Sequence, residues 1–248
     1  MSRESGPGID LPLWLGREAE EAAPWVLALA AAGRRMVRTL PMVARRPCPL
    51  SAAQRARLAA LGEEDALFLT SVSAVELLLN LEEGRRGAAR AFLAAVGPAT
   101  AHALEAPRVG WEGRGPDLLA HPTTGAGLGR AFLGLEERPP GALLYFGAAA
   151  PHPALGEVLA ASGLELERIA AYRVEGIPGE RPARGEPILL FAPSGVHSLA
   201  QRVENPEHHP VLAIGPSTAA AAREYGFPVQ ATLAQPTPES LVEELDRP

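Results

Sequence analysis

Short apolar runs alternate along the chain with longer alanine-rich stretches whose apolar positions have helical spacing. Such an alternation is typical of a parallel sheet, whose strands are buried on both faces and covered by helices. The pattern predicts strands at Leu11–Leu15, Met36–Leu40, Ala66–Thr70, Phe92–Val96, Ala142–Phe146, Arg168–Val174, Pro187–Ala192, Val211–Ile214 and Val229–Ala231. It predicts helices at Glu18–Ala32, Ser51–Leu61, Ala74–Leu81, Thr100–Glu105, Ala126–Leu133, Ala154–Ser162, Gly195–Val203, Thr218–Tyr225 and Pro238–Leu245.

Three pairs of segments are similar to one another and occur in a matching order. They are Ala95–Ala101 with Ala213–Ala219, Phe68–Ser71 with Phe191–Ser194, and Trp14–Gly16 with Tyr145–Gly147. Each segment ends a predicted strand and leads through a turn into a predicted helix. Because the separations within the pairs are similar, the sequence predicts two copies of one α/β unit.

Hydroxyl residues follow the strand ends of both copies. Ser71, Thr100, Ser194 and the pair Ser217 and Thr218 stand at predicted helix starts. Such a residue can simply cap the helix through its hydroxyl. The alternative is a binding site, because helix starts attract anions and ligands of open α/β sheets bind beyond the carboxyl ends of the strands. Two such edges facing each other would form one anion-binding cleft.

The composition narrows the possible chemistry. All 23 basic residues are arginines, so reactions that need a lysine amine are excluded, as is the phosphate-loop lysine of nucleotide hydrolases. Cys48 is the single cysteine, which rules out an internal disulfide and favours a cytoplasmic protein. The net charge of −6, without a basic block, argues against nucleic acid as a partner. No apolar stretch is long enough for a membrane helix.

Metal binding is not predicted. His208 and His209 are adjacent, so their side chains point apart, and no third ligand is evident near them in the sequence. Ser194 and the nearby His197 lack the glycine pattern of a hydrolase nucleophile, which leaves a helix-start serine as the better interpretation.

Tyr172 lies at the end of a predicted strand, where the chain should pass from one domain toward the other. A tyrosine at such a place can anchor the core while its hydroxyl stays wet. The alternative is a hydroxyl acid in a cleft between domains.

Taken in order, these segments resemble the uroporphyrinogen-III synthase family over nearly the whole chain. The similar segments are Leu15–Arg17, Phe68–Ser71 with Ala74–Val75, Val96–Ala101, Tyr172–Val174, Phe191–Gly195, Ile214–Ala219 and Ala234–Glu239. Each segment is short, and it is their order and spacing that carry the resemblance.

The resemblance implies two similar parallel-sheet α/β domains, joined by a two-segment hinge, with the active site in the cleft between them. Residues 1–40 and 173–248 would form the first domain and residues 41–172 the second. The N-terminal stretch Met1–Gly8 has no counterpart in the family and is expected to be disordered. The chain is expected to be a monomer.

The resemblance also implies a reaction. Linear hydroxymethylbilane, a tetrapyrrole polycarboxylate, loses its hydroxyl and closes into a macrocycle, and the terminal pyrrole ring is inverted; no cofactor or metal is used. Tyr172 would assist the leaving hydroxyl. The residues that match the family's substrate-binding positions are Arg17, Ser71, Thr100, Ser194, Gly195, Ser217 and Thr218.

One segment departs from the family. Many relatives have a polar or basic residue after the strand that ends at Phe146, whereas this chain has Gly147–Ala150. A side-chain contact to a substrate carboxylate is therefore not expected there. The competing function is a two-lobed regulatory protein that binds an anion or a tetrapyrrole without turnover.

Overall fold

The computed structural model describes residues 11–34 and 36–247. Met1–Gly8, expected to be disordered, lies outside these residues. In chain order the strands are β1 (Leu13–Leu15), β2 (Val37–Thr39), β3 (Val43–Pro47), β4 (Ala66–Leu69), β5 (Phe92–Ala95), β6 (Leu118–Leu119), β7 (Leu143–Ala148), β8 (Leu166–Gly176), β9 (Ile188–Leu190), β10 (Val211–Ala213) and β11 (Val229–Thr232). The α-helices are α1 (Ala19–Ala31), α2 (Ala52–Ala59), α3 (Val72–Asn80), α4 (Glu82–Ala88), α5 (Pro98–Glu105), α6 (Gly125–Leu133), α7 (Ala154–Ala160), α8 (Pro193–Ala200), α9 (Pro216–Glu224) and α10 (Pro238–Leu245).

The chain divides into two compact units. The first unit combines the chain up to Ala44 with the chain from Glu175 onward, and the second unit is Arg45–Val174. The sequence placed these boundaries slightly earlier, after Leu40 and after Tyr172. The difference arises at β3 and β8, which are neighbours in one sheet and both run across the division.

Each unit has its own sheet. In the first unit the order is β11-β10-β9-β1-β2, with every pair parallel. In the second unit it is β3-β8-β7-β4-β5-β6, and the strands from β8 to β6 are parallel. When β9, β10, β11, β1 and β2 are matched with β4, β5, β6, β7 and β8, the two orders are the same. The predicted duplication and the predicted α/β fold are therefore confirmed.

Both faces of each sheet are covered by apolar side chains. In the second unit, Phe146 and Ile169 belong to the core on one face, and Phe68 and Phe132 to the core on the other. The first unit likewise has two cores, one on each side of its sheet. Strands such as β4 and β9 are buried along their whole length, which explains their nearly unbroken apolar sequence.

Three elements were missed by the pattern. These are β3, the short β6 and α4, whose first turn contains Glu82 and Glu83. Helix α4 contains two glycines, which usually disfavour a helix. A Cβ built on Gly84 would lie 2.1 Å from the carbonyl oxygen of Leu78, and one on Gly87 would lie 2.2 Å from that of Leu58. Glycine is therefore needed for α4 to pack this closely against its neighbours.

Arg202 fixes the two chain segments that cross between the units, on the side of the first unit. Its guanidinium donates to the carbonyl oxygen of Pro41 at 2.6 Å, and also to those of Ile177 and Glu180. Burial lowers the pKa of the Arg202 guanidinium below its usual value. One side chain thus holds both crossing segments. No helix in the described part of the chain is long and apolar enough to cross a membrane.

Candidate active site

The second unit has a cavity of about 340 Å³ at the carboxyl ends of its strands. Side chains at its wall come from the ends of β4 and β5 and from β7 and β8. The chain order reverses between β4 and β7, because β5 lies on one side of β4 and β7 on the other. Crevices at such a switch point are where open α/β sheets bind ligands.

Two predicted site residues meet in this cavity. The hydroxyl of Tyr172, on β8, lies 3.0 Å from that of Ser71, and the two share a hydrogen bond. Ser71 follows β4 and caps α3, because its Oγ accepts the backbone N–H of Ala74 at 3.1 Å. Tyr172 is only 6% exposed. The sequence predicts that Ser71 either caps a helix or contacts a ligand. In the structure it caps α3 and also forms a hydrogen bond with Tyr172.

The register of β8 helps to place Tyr172. Gly147 pairs with Ala170, but Ala148 pairs with Tyr172, so one extra residue of β8 is accommodated at this point. Ala171 and Tyr172 consequently both contribute to the same core. A bulge of this kind re-aims a side chain. Here it accompanies the meeting of Tyr172 with Ser71.

A second tyrosine lies at the same edge and was missed by the sequence analysis. Tyr145 on β7 is 3% exposed, and its hydroxyl lies 3.3 Å from that of Thr70 and accepts the N–H of Ala148 at 3.1 Å. Burial raises the pKa of Tyr145 above its usual value of 10.0, and the nearby Tyr172 raises the pKa further. The hydrogen bonds with Thr70 and Ala148 act in the opposite direction and lower the pKa.

Gly147 allows this arrangement. A Cβ built on Gly147 would lie 2.4 Å from the hydroxyl oxygen of Tyr145, so only glycine leaves room for the ring. In the sequence, Gly147 stands out only because it lacks the polar side chain that many relatives have near this position. The signal that could have pointed to Tyr145 is the aromatic residue two positions before a glycine at a strand end, since these two positions share one face of the strand.

The remaining predicted residue of the second unit is Thr100. It is the third residue of α5 and is 5% exposed, so its side chain presents little surface to a ligand. The capping role considered for it is wrong, because α5 begins at Pro98 and Gly97 is the N-cap. Proline favours the first helical position, which moves the helix start ahead of the threonine.

The capping role considered for the hydroxyl residues of the first unit is wrong for the same reason. Helices α8 and α9 begin at Pro193 and Pro216, so Ser194, Gly195, Ser217 and Thr218 lie inside the first turn and do not cap it. The N-cap residues, Ala192 and Gly215, make no side-chain cap. In α8 the N–H of Gly195 bonds back to the carbonyl oxygen of Ala192 at 3.0 Å. The other first-turn amides receive no side-chain capping oxygen, and such groups favour an anion.

These residues differ in exposure. Ser194 and Ser217 are exposed, whereas Gly195 is buried and Thr218 is 1% exposed. Arg17 follows β1, and its guanidinium lies 4.2 Å from the ring centroid of Phe191, the residue directly before the N-cap of α8. Arg17 also lies near Glu21, at 4.0 Å. The structure therefore places Arg17 beside the start of α8 at the carboxyl edge of the first sheet.

Comparison with known proteins identifies the family. A model of the family uroporphyrinogen-III synthase HemD matches residues 24–243. The chain belongs to the uroporphyrinogen-III synthase family. Membership assigns it uroporphyrinogen-III synthase activity in tetrapyrrole biosynthesis, which confirms what the sequence resemblance implied. No match was found among curated protein sequences.

Two solved structures share the fold of this uroporphyrinogen-III synthase family member. The uroporphyrinogen-III synthetase from Helicobacter pylori is 17% identical, with a TM-score of 0.64 over 94% of this chain and 97% of that one. A mutant uroporphyrinogen III synthase from the extremely thermophilic bacterium Thermus thermophilus is 20% identical, with a TM-score of 0.58 over 93% of this chain and 96% of that one. Both likenesses bear on the fold alone.

Proposed function

We propose that the chain converts hydroxymethylbilane into uroporphyrinogen III as a cofactor-independent lyase and that Tyr172 is its catalytic acid. The observation that carries the assignment of this residue is the hydrogen bond between Tyr172 and Ser71 in the switch-point cavity of the second unit. The reaction breaks the C–O bond of the substrate's hydroxymethyl group, and the leaving oxygen needs a proton to depart as water.

The donors and acceptors around Tyr172 suit this role. Ser71 Oγ already accepts the N–H of Ala74. When the Ser71 hydroxyl donates its own proton to Tyr172 Oη, the tyrosine proton is left to donate to the leaving oxygen of the substrate. The pair thus keeps the phenol in one orientation, with its proton available toward the cavity.

The helix starts of the first unit are proposed to bind carboxylates. The substrate bears an acetate and a propionate on each pyrrole ring, and α8 and α9 begin without capping side chains. Arg17, beside the start of α8, adds positive charge. We propose Arg17, Ser71, Thr100, Ser194, Gly195, Ser217 and Thr218 as the substrate-binding set, with backbone N–H groups as the main donors where the side chain is buried. The cytoplasmic location and the monomeric state stay predictions.

Product isomers test the proposed function. The protein is incubated with freshly made hydroxymethylbilane, and the type-I and type-III products are separated after oxidation. We expect mainly the type-III isomer, formed faster than the spontaneous closure. If only the symmetric type-I isomer forms, at the spontaneous rate, the enzyme assignment fails and the regulatory binding protein becomes the better interpretation.

A further inference from the structure

The cavity that contains Tyr172 is lined by a positively charged arginine and, within residues 11–34 and 36–247, by no acidic residue. Arg168 supplies this charge, and His152 and the hydroxyls of Tyr145 and Tyr172 also line the cavity, whereas no aspartate or glutamate among the described residues contributes to its wall. Its volume of about 340 Å³ lies at the lower end of the range of about 300–1,000 Å³ for small-molecule sites. It has room for one ring with its side chains and not for a whole tetrapyrrole.

Arg168 has no hydrogen-bond or ion-pair partner within residues 11–34 and 36–247. The neighbouring Glu167 is paired with Arg57, at 2.8 Å, and leaves Arg168 without a carboxylate. An exposed arginine at a cavity wall without an acidic neighbour is suited to bind an anion from solution, because its planar group can hold a carboxylate through two hydrogen bonds.

A second arginine-lined cavity of the same unit differs in this respect. Arg86 is paired there with Glu82, at 2.6 Å, and Arg114 with Asp117. Arg85 donates to the carbonyl oxygen of Leu79 at 2.7 Å. Three of the four arginines described at its wall are therefore engaged, and Glu82 and Glu112 also line it, so its larger number of positive groups carries less weight than the single Arg168.

Local structure leaves space for the guanidinium of Arg168. A Cβ built on Gly156, in α7, would lie 2.5 Å from Arg168 Nη2, so the guanidinium occupies the space that the glycine leaves. Arg168 also pairs with Tyr145 in the register of β7 and β8. The hydroxyl of Tyr145 accepts the N–H of Ala148, and when it also accepts from Thr70 its own proton is left for a ligand.

We propose that Arg168, assisted by the hydroxyl of Tyr145, binds a carboxylate of the single pyrrole ring that enters this cavity. The inference deepens the proposed function and rests on it for the identity of the ligand. Arg168 is a specificity-determining residue in this assignment: it positions a ring through its acid side chain and does not act on the bond that breaks. The segment Gly147–Ala150, where many relatives have a polar or basic residue, has no charged side chain in this chain. Arg168 on β8 supplies a charged side chain instead.

The test uses Arg168→Gln and Arg168→Lys, with Arg130→Gln as the matched control. Arg130 is an exposed arginine of the second unit on α6 and does not line the cavity. Steady-state kinetics with hydroxymethylbilane give KM and kcat, and a fluorescence titration with uroporphyrin III gives a binding constant that does not depend on turnover. We expect Arg168→Gln to raise KM and weaken uroporphyrin binding about tenfold, with kcat within about twofold, since one charged hydrogen-bonding partner of a carboxylate is lost.

Arg168→Lys should recover part of the binding, because the charge is restored without the planar geometry. The inference is overturned if Arg168→Gln matches Arg130→Gln in both KM and uroporphyrin binding while the wild type still makes the type-III isomer; the proposed function then stands. It is also overturned if the wild type does not bind uroporphyrin III. A wild type that makes only the type-I isomer refutes the proposed function, and a selective loss of uroporphyrin binding in Arg168→Gln would then still support the carboxylate site.

Discussion

Trp14 and Tyr145 occupy the same position in the two repeated units, but their polar atoms lie at opposite edges of their sheets. The indole N–H of Trp14 donates to Glu186 Oε2 at 2.7 Å, and Glu186 lies before the start of β9. The hydroxyl of Tyr145 meets Thr70, which follows the end of β4. The first unit uses this position to hold the amino edge of its sheet, and the second unit uses it to bring a hydroxyl to the carboxyl edge.

The arginines that pair with these residues differ in the same way. Arg38 pairs with Trp14 in the register of the first sheet, and its guanidinium lies 5.3 Å from the centroid of the indole ring. Arg168, the equivalent residue of the second sheet, lines the cavity. One topology thus supports two kinds of edge. The first unit offers helix starts and Arg17, which suit binding alone, while the second combines Arg168 with paired hydroxyls, which suit binding and proton transfer.

The glycine that lets Tyr145 reach this edge should be the most sensitive position. In Gly147→Ala the new methyl group would overlap the tyrosine hydroxyl, so the ring must move. We expect a loss of about 2 kcal/mol in the free energy of unfolding, by urea denaturation, as is usual for an overpacked site. Gly62→Ala is the control, because a Cβ there meets no atom within 4 Å. Equal stability of the two variants would show that Tyr145 is not held as described.

Removal of the Tyr172 hydroxyl should slow the reaction. We expect Tyr172→Phe to lower kcat for the type-III isomer by about tenfold or more, which corresponds to about 1.4 kcal/mol of transition-state stabilisation. Tyr225→Phe is the matched control from the first unit, where the hydroxyl is bonded to His197 at 2.6 Å. A Tyr172→Phe variant with wild-type turnover would reduce this tyrosine to an anchor of the core.

Variants of two capping serines in the second unit can distinguish a role in helix capping from a role in catalysis. Ser71 and Ser51 each accept an N–H of the first turn, of α3 and α2 respectively, but only Ser71 also meets a tyrosine. We expect Ser71→Ala and Ser51→Ala each to cost about 1 kcal/mol of folding stability. Only Ser71→Ala should also lower kcat, as measured by the isomer assay. If both variants lose activity in proportion to stability, the Ser71 hydroxyl has no role beyond the cap.

The smallest effect concerns alkaline pH. Because burial raises the pKa of Tyr145 above 10.0, the folded state favours the neutral phenol. This contribution is complete below pH 10 and is lost as the pH rises through the pKa of the folded state. We expect Tyr145→Phe to flatten the alkaline decline of the free energy of unfolding measured between about pH 9 and pH 11. An unchanged slope in Tyr145→Phe would contradict the role of burial.

Much of the fold could be predicted because the repeat is visible in the sequence. The two Gly-Pro turns at Gly97 and Gly215 end equivalent strands, and their order correctly predicted the matching topologies. The elements that were missed depend on tertiary contacts. Strand β3 has exposed, arginine-rich residues without alternation and is ordered by its pairing with β8, while α4 is made possible by close packing at its glycines.

The site was only partly predictable for similar reasons. Tyr172 and Ser71 could be named from family positions, but the hydrogen bond between them accompanies a register shift in β8, which has no local signal in the sequence. Tyr145 lies within a buried apolar strand, so its sequence context gives no sign of a site. Arg168 could be recognised only from the structure, in which the adjacent Glu167 is paired with Arg57.

The division of roles between the two units is tested most directly by separating kcat from KM. The variants are Tyr172→Phe in the second unit and Ser194→Asp with Ser217→Asp in the first, where the helix dipole favours the new carboxylates but their charge repels those of the substrate. Thr237→Asp, at the start of α10, is the control for added charge. In the isomer assay we predict a lower kcat with little change in KM for Tyr172→Phe, and a KM raised about tenfold with little change in kcat for the double variant. The reverse pattern, or equal losses of kcat in both, would contradict the division of roles.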